Sequence, residues 1–382
     1  MNTRPRRHAA RVCFPFVGDS VGGSHISAAY LIRDLDPDHY EPVVVVHQDG
    51  PLRPFLDSLG LRHRLIEISA FAGTTPSIAD IAASVARTAP ALRRFLIDDD
   101  IDIVHTNDLR MNLTWPLPAR LALRSFVWHQ RLVVSPSPLW RVLCAASSRI
   151  VSISRTVRDT LPALGRRRAS VVPDPFVMAH PPPHETAKAN LLVALGIEPP
   201  VTVVGFVGNM THQKRPLIFV EAAARLARDE SRQWAFVMVG DDRGGELALA
   251  RARAAGLAIT EKIHFVGHQR PVEPWLAGFD VMLAPAAREG YGRAVVEALM
   301  SGTPVAAADS GGHREILVDD GLGLLTRLDD PDSLAEVARV LIGRGQRVPQ
   351  VLRSRLGEHH APAQHARRIE AIYDSFQRTR PS

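Results

Sequence analysis

The feature that most constrains this chain is an alternation, run twice, of a short apolar strand with an amphipathic helix. In the first run, strands are expected at 12–17, 42–46, 101–105, 125–129, 150–153 and 170–172, with helices such as 78–96 and 109–123 between them. Strands joined by helical crossovers demand parallel sheets covered on both faces. Five prolines between 173 and 183 then stop both helix and central strand, which marks a linker. The second run has strands expected at 201–207, 235–239, 263–266, 281–284, 304–307 and 322–325. Its helices fit 215–227, 246–255, 293–300 and 331–341. The expectation is α/β: two Rossmann-like, doubly wound domains facing each other, at 1–176 and 177–360. Ligands of such sheets sit beyond the carboxyl ends of the strands, so the site is expected in the cleft between the domains.

Composition narrows the class. A chain of 382 residues with 46% hydrophobic and 23% charged residues is neither disordered nor an integral membrane protein. It has no apolar run of about 18 residues, and the apolar stretch after its basic start is too short for a signal sequence. A cytoplasmic location follows as an expectation. Two cysteines, Cys13 and Cys144, support neither a disulfide framework nor a cysteine zinc site. The net charge of +6 includes only three lysines, at 188, 214 and 262, and no dense basic patch. A nucleic-acid partner is therefore not expected. The basic balance does permit peripheral contact with an anionic membrane face.

Three loops carry candidate chemistry, each at the end of an expected strand. The first, Gly18 to His25, holds Gly22 and Gly23 at a helix start, where free N–H groups attract phosphate. Its glycine spacing is not the dinucleotide fingerprint, which disfavours a nicotinamide dehydrogenase. The second runs from Gly208 and Asn209 to Lys214 and Pro216. A lysine expected at the start of a helix can neutralise a diphosphate. The third is Arg288-Glu289-Gly290-Tyr291-Gly292-Arg293, with Glu297 eight residues after Glu289. Paired carboxylates accept sugar hydroxyls, and the glycines free backbone N–H groups for an anion.

The segment from Val281 to Gly312, with its Glu-x7-Glu spacing, Ser301-Gly302-Thr303-Pro304-Val305 and Ser310-Gly311-Gly312, resembles the nucleotide-sugar site of retaining GT-B glycosyltransferases, and most of all family 4. The resemblance continues through Gly208 to Pro216, Val239-Gly240, Phe265-Val266-Gly267, Glu315-Ile316 and Gly321-Leu322-Gly323. It reaches the first half at Gly22-Gly23 and His129, and so spans nearly the whole chain. It implies transfer of a sugar from a nucleoside-diphosphate sugar to an acceptor hydroxyl, in envelope polysaccharide or glycoconjugate synthesis, with no cofactor and no catalytic metal. It also implies that a C-terminal helix, about 361–380, crosses back to the first domain.

The resemblance implies residue roles as well. Glu297 would hold the ribose, and Glu289 the transferred sugar beside the N–H groups of Gly290, Tyr291 and Gly292. Lys214 would bind the diphosphate with Gly208 and Asn209 beside it. The backbone around Gly267 and His268 would hold the base, and Gly240 also belongs to the donor site. Gly22 and Gly23 would pack near the donor phosphates and the acceptor, and His129 would lie over the donor sugar. His129, Lys214 and Glu289 are the catalytic candidates. Asp19, Asn107, Asp108, Arg110 and Arg131 are acceptor candidates.

Departures are specific. Asn209 stands where the family carries arginine, so Lys214, Arg215 or Arg293 is expected to supply that charge. The family's Pro-Ser becomes Ala284-Pro285-Ala286-Ala287, and its Pro-Asn-Gly becomes Pro173-Asp174-Pro175. Asp98, Asp99, Asp100 and Asp102 have Asp-x-Asp metal spacing but fall between a helix and a strand start, and read as a solvated turn. Two other readings stand beside transfer: a nucleotide-sugar 2-epimerase of the same architecture, and a non-catalytic nucleotide-sugar-binding protein.

Overall fold

A computed structural model describes residues 9–68, 77–177, 181–318 and 322–377. The chain divides into two units, 1–175 with 360–382, and 176–359. The basic start, Gly321 and residues 378–380 lie outside the described residues.

The first unit contains one parallel sheet. Its strands are β1 (Ala10–Phe16), β2 (Tyr40–Val46), β3 (His63–Leu65), β4 (Ile103–Thr106), β5 (Ser125–Gln130), β6 (Arg149–Ser152) and β7 (Ala169–Val171). Their order is β3-β2-β1-β4-β5-β6-β7. Alternation decides the packing. Val12, Phe14 and Phe16 of β1 face one apolar core, while Cys13 faces the other. Val44 and Val46 of β2 join the first core, and Val43 and Val45 join the second. A strand with both faces buried has no polar side to show, which is why these segments read as unbroken apolar runs. Both cysteines are buried free thiols.

Part of the first core comes from the far end of the chain. The helix Pro362–Gln377 places Ala366, Ile369, Ile372 and Tyr373 in it, at helical spacing. Each large apolar side chain removed from water there contributes roughly 1.5–3 kcal/mol. The helix expected over 109–123 is instead two, Leu109–Thr114 and Pro116–Leu121. Pro116 has no N–H to continue the first helix and begins the second instead. Strand β3 has no counterpart in the sequence pattern, because three residues, His-Arg-Leu, carry no alternation.

The second unit repeats the plan. Its strands are β8 (Thr202–Val207), β9 (Trp234–Val239), β10 (Ile263–Gly267), β11 (Val281–Ala284), β12 (Val305–Ala308) and β13 (Gly323–Thr326). All pairs are parallel, in the order β10-β9-β8-β11-β12-β13. In each sheet the chain winds outward to one side and then returns to the other. The direction reverses between β1 and β4 in the first, and between β8 and β11 in the second. These are the switch points where doubly wound sheets open for ligands.

The Asp98–Asp102 run lies at the amino end of β4. Asp99 pairs with Arg64 at 2.5 Å, Asp100 pairs with Arg124 at 3.4 Å, and Asp102 accepts the Arg11 N–H at 3.0 Å. Among the described residues no helix is long and apolar enough to cross a membrane.

Gly205 in β8 tests the tightness of the second sheet. A Cβ there would fall 2.0 Å from the ring of fully buried Phe279. Gly205→Ala is expected to cost roughly 1–3 kcal/mol by overpacking, read as a lower thermal midpoint. An unchanged midpoint would show that Phe279 moves freely aside.

Candidate functional site

In the second unit, the loops after β8, β11 and β12 are knitted together at the carboxyl edge. Gln213 Nε2 donates to the Arg288 carbonyl at 3.1 Å, and the Ala287 N–H donates to the Gln213 carbonyl at 2.9 Å. The Arg288 N–H donates to Ser310 Oγ at 2.8 Å. The Gly312 N–H donates to the Glu289 carbonyl at 2.9 Å. Gly311, at φ +57, has its α-carbon so close to this loop that a Cβ would meet the Glu289 carbonyl oxygen at 2.0 Å. Only glycine fits that conformation at that distance.

This scaffold brings Lys214 and Glu289 together, 75 residues apart in sequence. Lys214 Nζ donates to Glu289 Oε2 at 2.5 Å. Lys214 does not open the next helix, as the sequence reading expects. It closes a short 3-10 turn, His212–Lys214, and Arg215 follows in the left-handed region before Pro216 starts the helix. Arg288, beside Glu289, is also left-handed, at φ 53. Two non-glycine residues in that region, one in each loop at the switch point, are held there by the surrounding hydrogen bonds. Burial would raise the Glu289 carboxyl. Lys214, by charge and hydrogen bond, aided by His313 and the Gly290 N–H, brings it below its ordinary value. It is therefore an anion at neutral pH.

Glu297 stands within the helix Arg293–Met300, whose N-cap is Gly292 at φ 110. Arg293 reaches Glu297 at 3.3 Å and lies 4.5 Å over the Phe176 ring. Burial raises the Glu297 carboxyl, with Arg293 opposing. Of the charges that could stand in beside Asn209, Arg215 is turned to Asp329 at 2.9 Å and Arg293 to Glu297. Lys214 is the cation held in the Glu289 loop.

On the other side of β8 the same edge carries glycines in register. The Gly208 N–H donates to the Val239 carbonyl at 2.9 Å, and the Gly240 N–H to the Gly267 carbonyl at 2.8 Å. A Cβ on Gly240 would meet the Gly208 carbonyl oxygen at 2.0 Å. His268 is exposed, with Nδ1 4.0 Å from Asp241. Tyr291 is buried.

The candidates of the first unit gather at its own switch point. Gly22 caps the helix Gly23–Asp34, and its N–H donates to His25 Nδ1 at 3.1 Å. Asp19, after β1, is paired with Arg110, after β4. Asn107 accepts from Arg131 at 3.0 Å, and Arg131 is paired with Asp174. His129, near the end of β5, is fully buried. Burial first, then Arg131, holds its pKa well below the ordinary histidine value. Asp108 caps the helix Leu109–Thr114 by accepting the Met111 N–H at 2.9 Å, while its Oδ2 is buried without a hydrogen-bond partner among the described residues. Burial raises its pKa from 3.8 to about 6, against the Met111 N–H bond and Arg110.

Sequence reasoning missed Gln213, His313, His105, His365 and Tyr373. Gln213 lies within the Gly208–Pro216 motif without a role assigned to it, and His313 adjoins Ser310-Gly311-Gly312, so both were within reach. His105, His365 and Tyr373 belong to unrelated segments, and no sequence signal joins them. Among the described residues no cluster of three or more His, Cys, Asp or Glu is poised to hold a metal.

Two doubly wound parallel domains, with charged loops at the switch points, are the architecture of the GT-B fold. Residues 21–180 match the family described as Glycosyltransferase Family 4, and residues 201–344 match Glycosyl transferases group 1. The chain belongs to the GT-B glycosyltransferases of the family 4 type. It is 28% identical over 283 residues to a lipopolysaccharide core biosynthesis mannosyltransferase of Rhizobium meliloti, covering 66% of this chain and 80% of the relative. It is 28% identical over 363 residues to the 2-deoxystreptamine N-acetyl-D-glucosaminyltransferase of Streptomyces fradiae, covering 87% and 85%. An Anabaena protein crystallised with UDP and glucose shares the fold at TM-score 0.78 and 18% identity, over 95% of this chain and 99% of that one. A Rickettsia africae glycosyltransferase does so at TM-score 0.81 and 17% identity, over 98% and 100%. The fold is also that of a putative UDP-N-acetylglucosamine 2-epimerase from Listeria monocytogenes, at TM-score 0.64 and 16% identity, over 97% and 98%.

The Asp108 carboxyl predicts a pH effect. A carboxyl whose folded pKa exceeds its unfolded one holds its proton more tightly when folded. Its contribution is complete below 3.8 and is lost as pH rises through about 6. Asp108→Asn keeps an acceptor for Met111 and removes the titration. Between pH 4 and 7, urea unfolding is expected to show wild type losing about 1–3 kcal/mol more than the variant. Parallel curves for the two proteins would contradict the raised pKa.

Proposed function

We propose that this glycosyltransferase moves a sugar from a nucleoside-diphosphate sugar to an acceptor hydroxyl, with retention at the anomeric carbon and without a catalytic metal. The observation that carries the reading is the Lys214–Glu289 pair, at 2.5 Å across the switch point of the second sheet. In such a transfer the barrier lies in departure of the diphosphate and growth of oxocarbenium character. Lys214 supplies positive charge for the leaving oxygens. Glu289, an anion, accepts from sugar hydroxyls beside the N–H groups of Gly290, Tyr291 and Gly292. Glu297 accepts from the ribose, and Arg293 orients its carboxyl. Gly208, Gly240 and Gly267 let the nucleotide approach backbone. Asp19, Asn107, Asp108, Arg110 and Arg131 are assigned to the acceptor side. Neither carboxylate is required as a nucleophile. Attack on the face the leaving group vacates, with the departing phosphate taking the acceptor proton, gives retention. A role in envelope polysaccharide or glycoconjugate synthesis accords with the mannosyltransferase relative.

The epimerase reading is favoured by the shared fold alone. Donor turnover that persists undiminished when every hydroxyl acceptor is left out would select it over transfer.

Donor recognition is tested by thermal shift with a panel of nucleoside diphosphates. One base is expected to raise the midpoint more than the others, by mass action. Glu297→Ala should weaken that shift and raise KM for the donor while kcat changes little. A variant with wild-type KM removes Glu297 from the ribose.

The charge role is tested by Lys214→Ala. A loss of about 10²–10³ in kcat is expected, well beyond what the lower thermal midpoint from leaving Glu289 without its partner accounts for, with turnover that survives a chelator. Wild-type kcat in the variant would refute the assignment.

A further inference from the structure

Behind His129 the first unit buries a line of polar rings that reaches the C-terminal helix Pro362–Gln377. The Tyr373 hydroxyl lies 2.5 Å from His105 Nδ1, and His105 Nε2 lies 3.2 Å from His129 Nδ1. His365, from the same helix as Tyr373, stacks on His129 with ring centres 6.0 Å apart and planes 16° from parallel. Its own Nδ1 is fixed on the Pro173 carbonyl at 2.8 Å. All four side chains are essentially without solvent exposure. His129 Nε2 is buried and has no hydrogen-bond partner among the described residues.

The protons in this line can be placed from its ends. A neutral imidazole has one donor nitrogen and one acceptor nitrogen, and two facing nitrogens share one proton. Among the described residues the Tyr373 hydroxyl has only His105 as a hydrogen-bond partner, so its proton is directed there. A buried hydroxyl proton left unmatched would forfeit its hydrogen bond to water with nothing in return. His105 therefore accepts at Nδ1 and carries its proton on Nε2, which donates to His129 Nδ1. The other end makes the same demand. Arg131 Nη2, which can only donate, lies 3.5 Å from that same Nδ1. A lone pair at His129 Nδ1 satisfies both neighbours, and the His129 proton is left on Nε2. Burial, with Arg131 second, keeps both rings neutral near pH 7.

We propose that Tyr373, acting through His105, is a positioning residue that holds His129 as the neutral tautomer with its proton on Nε2. The chain thus presents an N–H donor at the end of β5, and not a base. This rests on the role that the family resemblance implies for His129, over the donor sugar of the proposed transfer. A donor of this kind binds a sugar hydroxyl through the oxygen lone pair and takes no proton from the acceptor. That leaves proton removal to the departing phosphate. The C-terminal helix then does more than fill a core, since it sets the direction of a hydrogen bond at the site.

The tautomer is read by nuclear magnetic resonance on the full chain labelled with 15N- and 13C-histidine, without ligand. The His129 signals are assigned by their loss in His129→Gln. The expected result is a protonated Nε2 and an unprotonated Nδ1 in wild type. Tyr373→Phe keeps the ring and removes the O–H, and should shift His129 toward the other tautomer. His105→Phe should do the same, while His105→Gln, whose amide can still donate to Nδ1, should not. A wild-type His129 protonated on Nδ1, or on both nitrogens, overturns the proposal without need of any variant. So does a Tyr373→Phe spectrum identical to wild type. Because no substrate is present, these outcomes are independent of the transfer reading. A correct tautomer in a chain whose His129→Gln variant transfers sugar at the wild-type rate would sink only the contact between His129 and the sugar.

Discussion

The ion pair between Lys214 and Glu289 is the interaction on which the rest of the second unit's site depends. It joins the loops that follow the paired strands β8 and β11, where the sheet reverses its winding. Two charges of opposite sign at that point need support. Gln213 ties one loop to the other, and Ser310 and Gly312 hold the Glu289 loop from behind. Lys214 keeps the buried Glu289 carboxyl ionised.

The first unit solves the same geometric problem with different chemistry. At its switch point Asp19 from after β1 meets Arg110 from after β4. Asn107, Arg131 and Asp174 extend that contact toward the end of β5. Arg131 is central there because a guanidinium can serve several acceptors at once without losing its charge. It clamps Asp174 and Asn107, and it also helps keep the histidines behind it neutral. His360 and His365, which accompany the C-terminal helix, bind the carbonyls of Asp174 and Pro173. The proline-rich stretch that interrupts the strand pattern is thus fixed at its start by the end of the chain.

Legibility in the sequence followed the range of the forces involved. Strands such as β11 and helices such as Arg293–Met300 agree with the pattern to the residue, since alternation and helical spacing are local. The division of residues 109–121 into two helices was also local, yet the apolar spacing runs through Pro116 and hides the break. β3 left no trace, because it exists only by pairing with β2. Lys214 and Glu289 could be named from their loops and spacing, but nothing in 74 intervening residues says that their charges touch.

What the sequence by itself determined is the number of sheets, their parallel sense, and the loops in which charge and glycine coincide. Those properties are written in the order of apolar and polar residues along the chain. Tertiary structure alone decided which charges are paired, that Arg215 turns toward Asp329 and away from the Glu289 loop, and that Tyr373 and His365 stand behind His129. The reason is that burial and the direction of a hydrogen bond depend on distances through space, and residues 105, 129 and 373 become neighbours only when the sheet and the last helix close one core.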